Sequence, residues 1–122
     1  MSQSQNCEAL AITCIDFRFI SQVRDYLTQD EKLEGKYDLV TVPGSSLNFD
    51  KIEGSIDISF KLHQPEAVYI FDHEDCGAYG PDNSLERHRE NLQKAKDTIR
   101  ERYPDVFVET FMATFSGVRK PS

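Results

Sequence analysis

Ala67-Val68-Tyr69-Ile70-Phe71 runs directly into Asp72-His73-Glu74-Asp75-Cys76-Gly77, and the architecture follows from this stretch. Five consecutive apolar or aromatic residues, introduced by Pro65 and followed by a turn-rich segment from His73 to Asn83, read as a strand buried on both faces. Buried strands of this kind belong to parallel sheets, which carry helices on both sides. Working outward, Ala9-Leu10-Ala11-Ile12, within Glu8 to Thr13, is a first strand that ends at Cys14. Tyr37 to Val42 is rich in β-formers, stops at Pro43-Gly44 and reads as the second strand. Phe107 to Ala113 reads as the fourth.

The segments between the strands carry helical periodicity. Phe19, Ile20, Val23, Tyr26 and Leu27 recur at helical spacing, and the polar run Gln29 to Lys36, punctuated by Gly35, ends that helix. Gly44 to Asp50 reads as a loop. Ile52 to His63 fits either an alternating strand or one helical face; a helix is expected, because parallel strands require a crossover. Ser84 is placed to cap a further helix, with Leu85, His88, Leu92, Ala95 and Ile99 on one face and Pro104 beyond its end. The tail, Ser116 to Ser122, reads as frayed. Strands alternating with helices predict an α/β fold: a single domain over residues 1–122, with a mainly parallel sheet of about four strands in the order 2-1-3-4 and helices on both faces. In that order the crossovers from strands one and three leave to opposite faces. Ligands bind beyond the carboxyl ends of strands at such a switch point.

A length of 122 residues suits one domain that can bury a core without disulfide staples. The polar start, Met1 to Asn6, has neither a basic nor an apolar leader segment, which predicts a cytoplasmic protein. No run approaches the roughly 20 apolar residues of a membrane span. The net charge of −7 argues against nucleic acid and anionic membrane surfaces as partners, since phosphate binding requires a basic face. Three cysteines are an odd number for a disulfide framework; near a histidine they point to metal binding or catalysis.

Two motifs carry that chemistry. Cys14-Ile15-Asp16-Phe17-Arg18 follows the first strand, and His73-Glu74-Asp75-Cys76-Gly77 follows the third. If those strands are neighbours, Cys14 and His73 share one end of the sheet, about 5 Å apart in backbone. His73-x-x-Cys76 lets one tight turn present two ligands, with Gly77 permitting the turn. Two thiolates and one imidazole favour zinc. Asp16 alternates with Cys14, so its carboxylate can reach a fourth metal position or a water there, and Arg18 can clamp that carboxylate with two hydrogen bonds. Cys7 reads as a spare thiol, His63 and His88 as packing residues on helical faces, and Glu86 to Arg102 as a solvated helix laced with i,i+4 pairs.

At these residues the chain resembles the β-class carbonic anhydrases. It is similar in the C-x-D-x-R motif at Cys14, Asp16 and Arg18, and again in H-x-x-C-G at His73, Cys76 and Gly77. Asp38 to Gly44 resembles that family's second strand and glycine loop, although Pro43 and Ser45 flank Gly44 where the family usually places an asparagine. The resemblance implies zinc held by Cys14, His73 and Cys76, with Asp16 either as the fourth ligand or turned to Arg18 to admit water. It implies hydration of carbon dioxide to bicarbonate, with Asp16 and Arg18 catalytic and Gly44, Ser45 and Gly77 beside the substrate. It also implies a homodimer or a higher oligomer. Carbonyl sulfide or carbon disulfide hydrolysis on the same scaffold, and a non-catalytic zinc-binding module, are the alternatives.

Overall fold

The computed structural model describes residues 5–121; Met1 to Ser4 of the polar start, and Ser122 of the tail, lie outside the described residues. One sheet organises the chain, in the order β2-β1-β3-β4-β5. Strands β1 (Ala9–Thr13), β2 (Tyr37–Thr41), β3 (Ala67–His73) and β4 (Phe107–Thr114) run parallel. The order 2-1-3-4 read from the sequence is therefore present. A fifth strand extends it: β5 (Gly117–Arg119) pairs antiparallel with β4, where the sequence suggested a frayed tail. A tight reversal makes that pairing. Gly117 sits at φ 138°, a backbone region that side chains disfavour, and Thr114 Oγ1 donates to the Gly117 carbonyl at 2.8 Å.

Helix α1 (Ile20–Asp25) is short and passes into a π-helical turn, Tyr26–Asp30. Helix α2 (Glu53–His63) confirms the crossover between β2 and β3. The Gly44 to Asp50 loop is largely wound into 3-10 turns over Ser45–Lys51. Helix α3 (Leu85–Arg102) begins where Ser84 Oγ accepts the Arg87 backbone N–H at 3.1 Å. Such a cap is worth about 1 kcal/mol.

Alternation along the strands sends side chains to two cores. Leu10, Ile12, Val68, Ile70, Val108 and Met112 meet Ile56 of α2 and Leu92, Ala95 and Ile99 of α3. Ala9, Ala11, Tyr69, Phe71, Phe111 and Ala113 meet Phe19, Val23, Leu27 and Leu33 on the α1 side. Each fully buried large side chain, such as Leu10 or Ile70, contributes about 1.5–3 kcal/mol. Helices thus cover opposite faces on either side of the β1–β3 pair, and the carboxyl ends of these two strands carry Cys14 and His73.

Candidate metal centre

Immediately beyond the end of β1, at Cys14, and at the end of β3, the apolar alternation gives way to polar and sulfur side chains. Residues 68, 70 and 72 share one face of β3, and 69, 71 and 73 the other. His73 therefore turns to the α1 side, where its ring stacks on Phe19 with centroids 4.5 Å apart. Asp72 turns to the α2–α3 side. Cys76 returns on the following turn, packed with Cys14 and Tyr79.

The ligand atoms of Cys14, His73 and Cys76 all lie within 4.8 Å of one another, and all three residues are buried. His73 Nδ1 lies 2.7 Å from the Glu74 carbonyl and donates to it, which leaves Nε2 with its lone pair free. Nε2 is buried and has no hydrogen-bond partner. An orphaned buried acceptor beside two thiols is the arrangement a cation would complete. The donor set, two sulfurs and an imidazole nitrogen, fits zinc among the common metals.

Electrostatics around the trio already favour negative charge. Hydrogen bonding from the Cys76 thiol, aided by the Gly44 backbone N–H, holds Cys14 far below the ordinary thiol range, at about 4, against the opposing effect of burial. Cys76 is pushed up by the same partnership, because it keeps the proton that Cys14 gives up, and by burial. Burial works against protonation of His73, but the Cys14 sulfur, the Glu74 carbonyl and the charge of Asp16 outweigh it and its pKa is raised.

Arg18 ties the two motifs together. Its backbone N–H and Nε donate to Asp16 Oδ1 at 2.9 and 3.0 Å, and Nη2 donates to Oδ2 at 2.7 Å. The same guanidinium reaches across to Asp75, with Nη1 to Oδ2 and Nη2 to the backbone carbonyl, both 2.9 Å. Hydrogen bonds from Arg18 hold the Asp16 carboxyl at about 2 despite partial desolvation. Asp16 Oδ2 lies 3.7 Å from His73 Nε2, so an ionised carboxylate borders the three donors.

The glycine positions divide. Gly44 has φ 83°, and a Cβ there would meet Leu47 Cβ at 3.1 Å and Ala78 Cβ at 3.3 Å. Its N–H donates to Cys14 Sγ at 3.3 Å. Ser45 beside it is fully buried at φ 50°, with an unpartnered hydroxyl. Gly77 opens the 3-10 turn Gly77–Tyr79, but it is not the residue that permits the reversal after His73. The left-handed position is Asp75, at φ 53°, and a Cβ on Gly77 would meet nothing within 4 Å. Arg18 holds Asp75 by both its carbonyl and its carboxylate, which accounts for a non-glycine residue tolerating that backbone.

A buried network missing from the sequence reading supports the Cys76 turn. Asp72 Oδ2 accepts from Ser46 Oγ, Tyr79 OH and His88 Nδ1, each at 2.7 Å, and Oδ1 accepts the Ser46 N–H at 3.1 Å. The Asn83 amide donates to His88 Nε2 at 2.7 Å, and its oxygen accepts the Cys76 and Asp75 N–H groups at 3.1 and 3.2 Å. His88 is thus more than a packing residue: it links the end of β3 to the backbone of the ligand turn. Its position on an apolar helical face concealed this; the visible signal was Asp72, a carboxylate in an otherwise apolar strand that burial obliges to find partners.

Among known proteins, residues 4–117 match the family model described as "Putative carbonic anhydrase". An uncharacterized protein of Rickettsia conorii is 37% identical over 128 aligned positions, covering 89% of this chain and 68% of that protein. An uncharacterized protein of Rickettsia bellii is 34% identical, covering 89% of this chain and 77% of that protein. In fold the chain is similar to a carbonic anhydrase from Glaciozyma antarctica, with a TM-score of 0.68 at 13% identity, covering 99% of this chain and 85% of that one. The family match over nearly the whole chain, the shared fold and the convergence of Cys14, His73 and Cys76 agree, and the chain belongs to the carbonic anhydrase-like family described as "Putative carbonic anhydrase".

Proposed function

We propose that the chain, as one domain over residues 1–122, is a zinc-dependent hydratase that converts carbon dioxide and water into bicarbonate and a proton. The observation that carries this reading is the unpartnered Nε2 of His73 facing two thiols, with Asp16 held ionised at their border. Cys14, His73 and Cys76 would hold the metal. Zinc, when bound, supplies a Lewis acid that makes a water nucleophilic near neutral pH.

The chain's own residues set the rest. Asp16, kept as a carboxylate by Arg18, accepts a hydrogen bond from the attacking water and turns a lone pair toward the substrate. The two-point clamp from Arg18 engages both oxygens of Asp16 and holds the carboxylate at the border of the three donors, 3.7 Å from His73 Nε2, where it can accept from a water. Gly44, with no side chain, brings its N–H to the Cys14 sulfur; with Ser45 and Gly77 it would border a linear substrate at the centre. The proton leaves through the rim carboxylates, Glu74 and Asp75, to buffer.

Large apolar side chains beside the centre are exposed: Phe17 at 83%, with Ile15, Ile20 and Phe115. They support a homodimer in which a second copy shields the site and supplies the apolar surroundings carbon dioxide favours. No helix among the described residues is long and apolar enough to cross a membrane. The three cysteines are unpaired, which supports a reducing, cytoplasmic setting.

Stopped-flow hydration of carbon dioxide by zinc-loaded protein tests the proposal. Turnover that rises across mildly alkaline pH is expected. Turnover of carbonyl sulfide or carbon disulfide alone would move the substrate assignment, and metal-loaded protein inert toward all three would identify a binding module.

A further inference from the structure

A second set of metal-type donors lies at the opposite end of the sheet. Cys7, Asp38 and His63 each bring one ligand atom within 4.8 Å of the others, and all three are half-buried. Cys7 precedes β1, whereas Cys14 follows it; seven residue steps of mostly extended chain separate the two clusters by roughly 20 Å. Asp38 comes from β2 and His63 from the last turn of α2.

The positions are fixed by backbone and side-chain bonds. The Cys7 N–H donates to the His63 carbonyl at 2.8 Å, which pins the residue bearing the thiol to the end of α2. Asp38 Oδ2 lies 2.7 Å from His63 Nδ1 and accepts from Ser59 Oγ at 2.7 Å, so its orientation is set from two sides. The Cys7 thiol makes a contact of 3.3 Å to the Ala9 carbonyl. Without a cation, burial and then the Asp38 charge keep that thiol protonated.

We propose that Cys7, Asp38 and His63 form a second divalent-cation site, of zinc type, distinct from the Cys14–His73–Cys76 centre. One thiolate and one carboxylate neutralise a 2+ ion, and a neutral imidazole completes a set of three borderline donors. Partial exposure leaves a fourth position to solvent. Ser59 supplies the outer hydrogen bond that orients a ligating carboxylate. Binding forms the metal–sulfur bond and releases the Cys7 proton to buffer, one proton per ion. The proposal stands independently of the hydratase reading, because no residue is shared.

Cobalt(II) titration of the chelator-stripped full chain tests it, read by near-ultraviolet sulfur-to-cobalt absorption and by metal analysis. Wild-type protein is expected to take two equivalents. A Cys14→Ser/Cys76→Ser variant keeps one, with the weaker absorption of a single thiolate, and a further Cys7→Ser abolishes it. Asp38→Asn, which preserves an oxygen for Ser59, should weaken this equivalent at least tenfold. If the double variant is folded by circular dichroism yet takes up no cobalt, the site is overturned. Should the double variant fail to fold, wild type against Cys7→Ser decides: loss of one equivalent supports the site, and unchanged stoichiometry and spectrum overturn it. A single equivalent that follows Cys7 instead of Cys14 and Cys76 would support this site and remove the other.

Discussion

Arg18 and Asp75, 57 residues apart, are joined by two contacts of 2.9 Å, one from Nη1 to the carboxylate and one from Nη2 to the backbone carbonyl. The guanidinium that clamps Asp16 is therefore itself fixed by the turn between His73 and Cys76. Removing Asp75 should loosen the clamp without touching a metal donor. Asp75→Ala is expected to lower turnover several-fold with metal content unchanged; loss of metal instead would show that the turn, not the clamp, depends on Asp75.

Asp16 carries a heavier expectation. Asp16→Ala should cut hydration by about 10²–10⁴-fold, the range for a proton-handling group in a transition state, with zinc still bound. Stopped-flow rates on metal-analysed protein measure this, and full activity in the variant would remove Asp16 from the reaction.

The Asp16–Arg18 pair also sets a pH signature. Asp16 is held at about 2, below its ordinary 3.8, so the pairing stabilises the fold fully above roughly pH 4 and fades as pH falls toward 2. Denaturation midpoints of wild type and Asp16→Asn should differ most above that window and converge below it. A gap independent of pH contradicts the assignment. The pair is solvent-accessible, so the gap itself should be small.

His88 and Asp72 are 1% and 2% exposed. His88→Phe removes one of several donors from a buried carboxylate and unties Asn83 from the Cys76 turn; a loss of roughly 1–3 kcal/mol is expected, as for other buried polar groups deprived of a hydrogen-bond partner. His88→Asn can return one donor and should recover part of it. Urea unfolding gives both values, and a neutral His88→Phe would mean that water replaces the imidazole.

Phe17 offers the simplest test of assembly. Phe17→Asp places a charge where an apolar contact is expected and should shift sedimentation from dimer to monomer. A wild-type chain that sediments as a monomer at all concentrations would end the dimer proposal.

Local pattern alone gave the four parallel strands, their order, the crossover helices and the two motifs at their ends, because apolar runs and their periods encode burial along the chain. Ser84 as a cap was equally local. What pattern could not encode is pairing between distant side chains. Three-residue β5 was too short for any period and exists because β4 offers it an edge. The strained backbone fell on Asp75, not on Gly77, because Arg18 arrives from the other motif to hold it. His88 and His63 looked alike on apolar helical faces, yet one is sealed against Asp72 and the other half-exposed against Asp38. Hydropathy reports that a polar group lies on a buried face; only the folded chain decides which partner compensates its lost hydration.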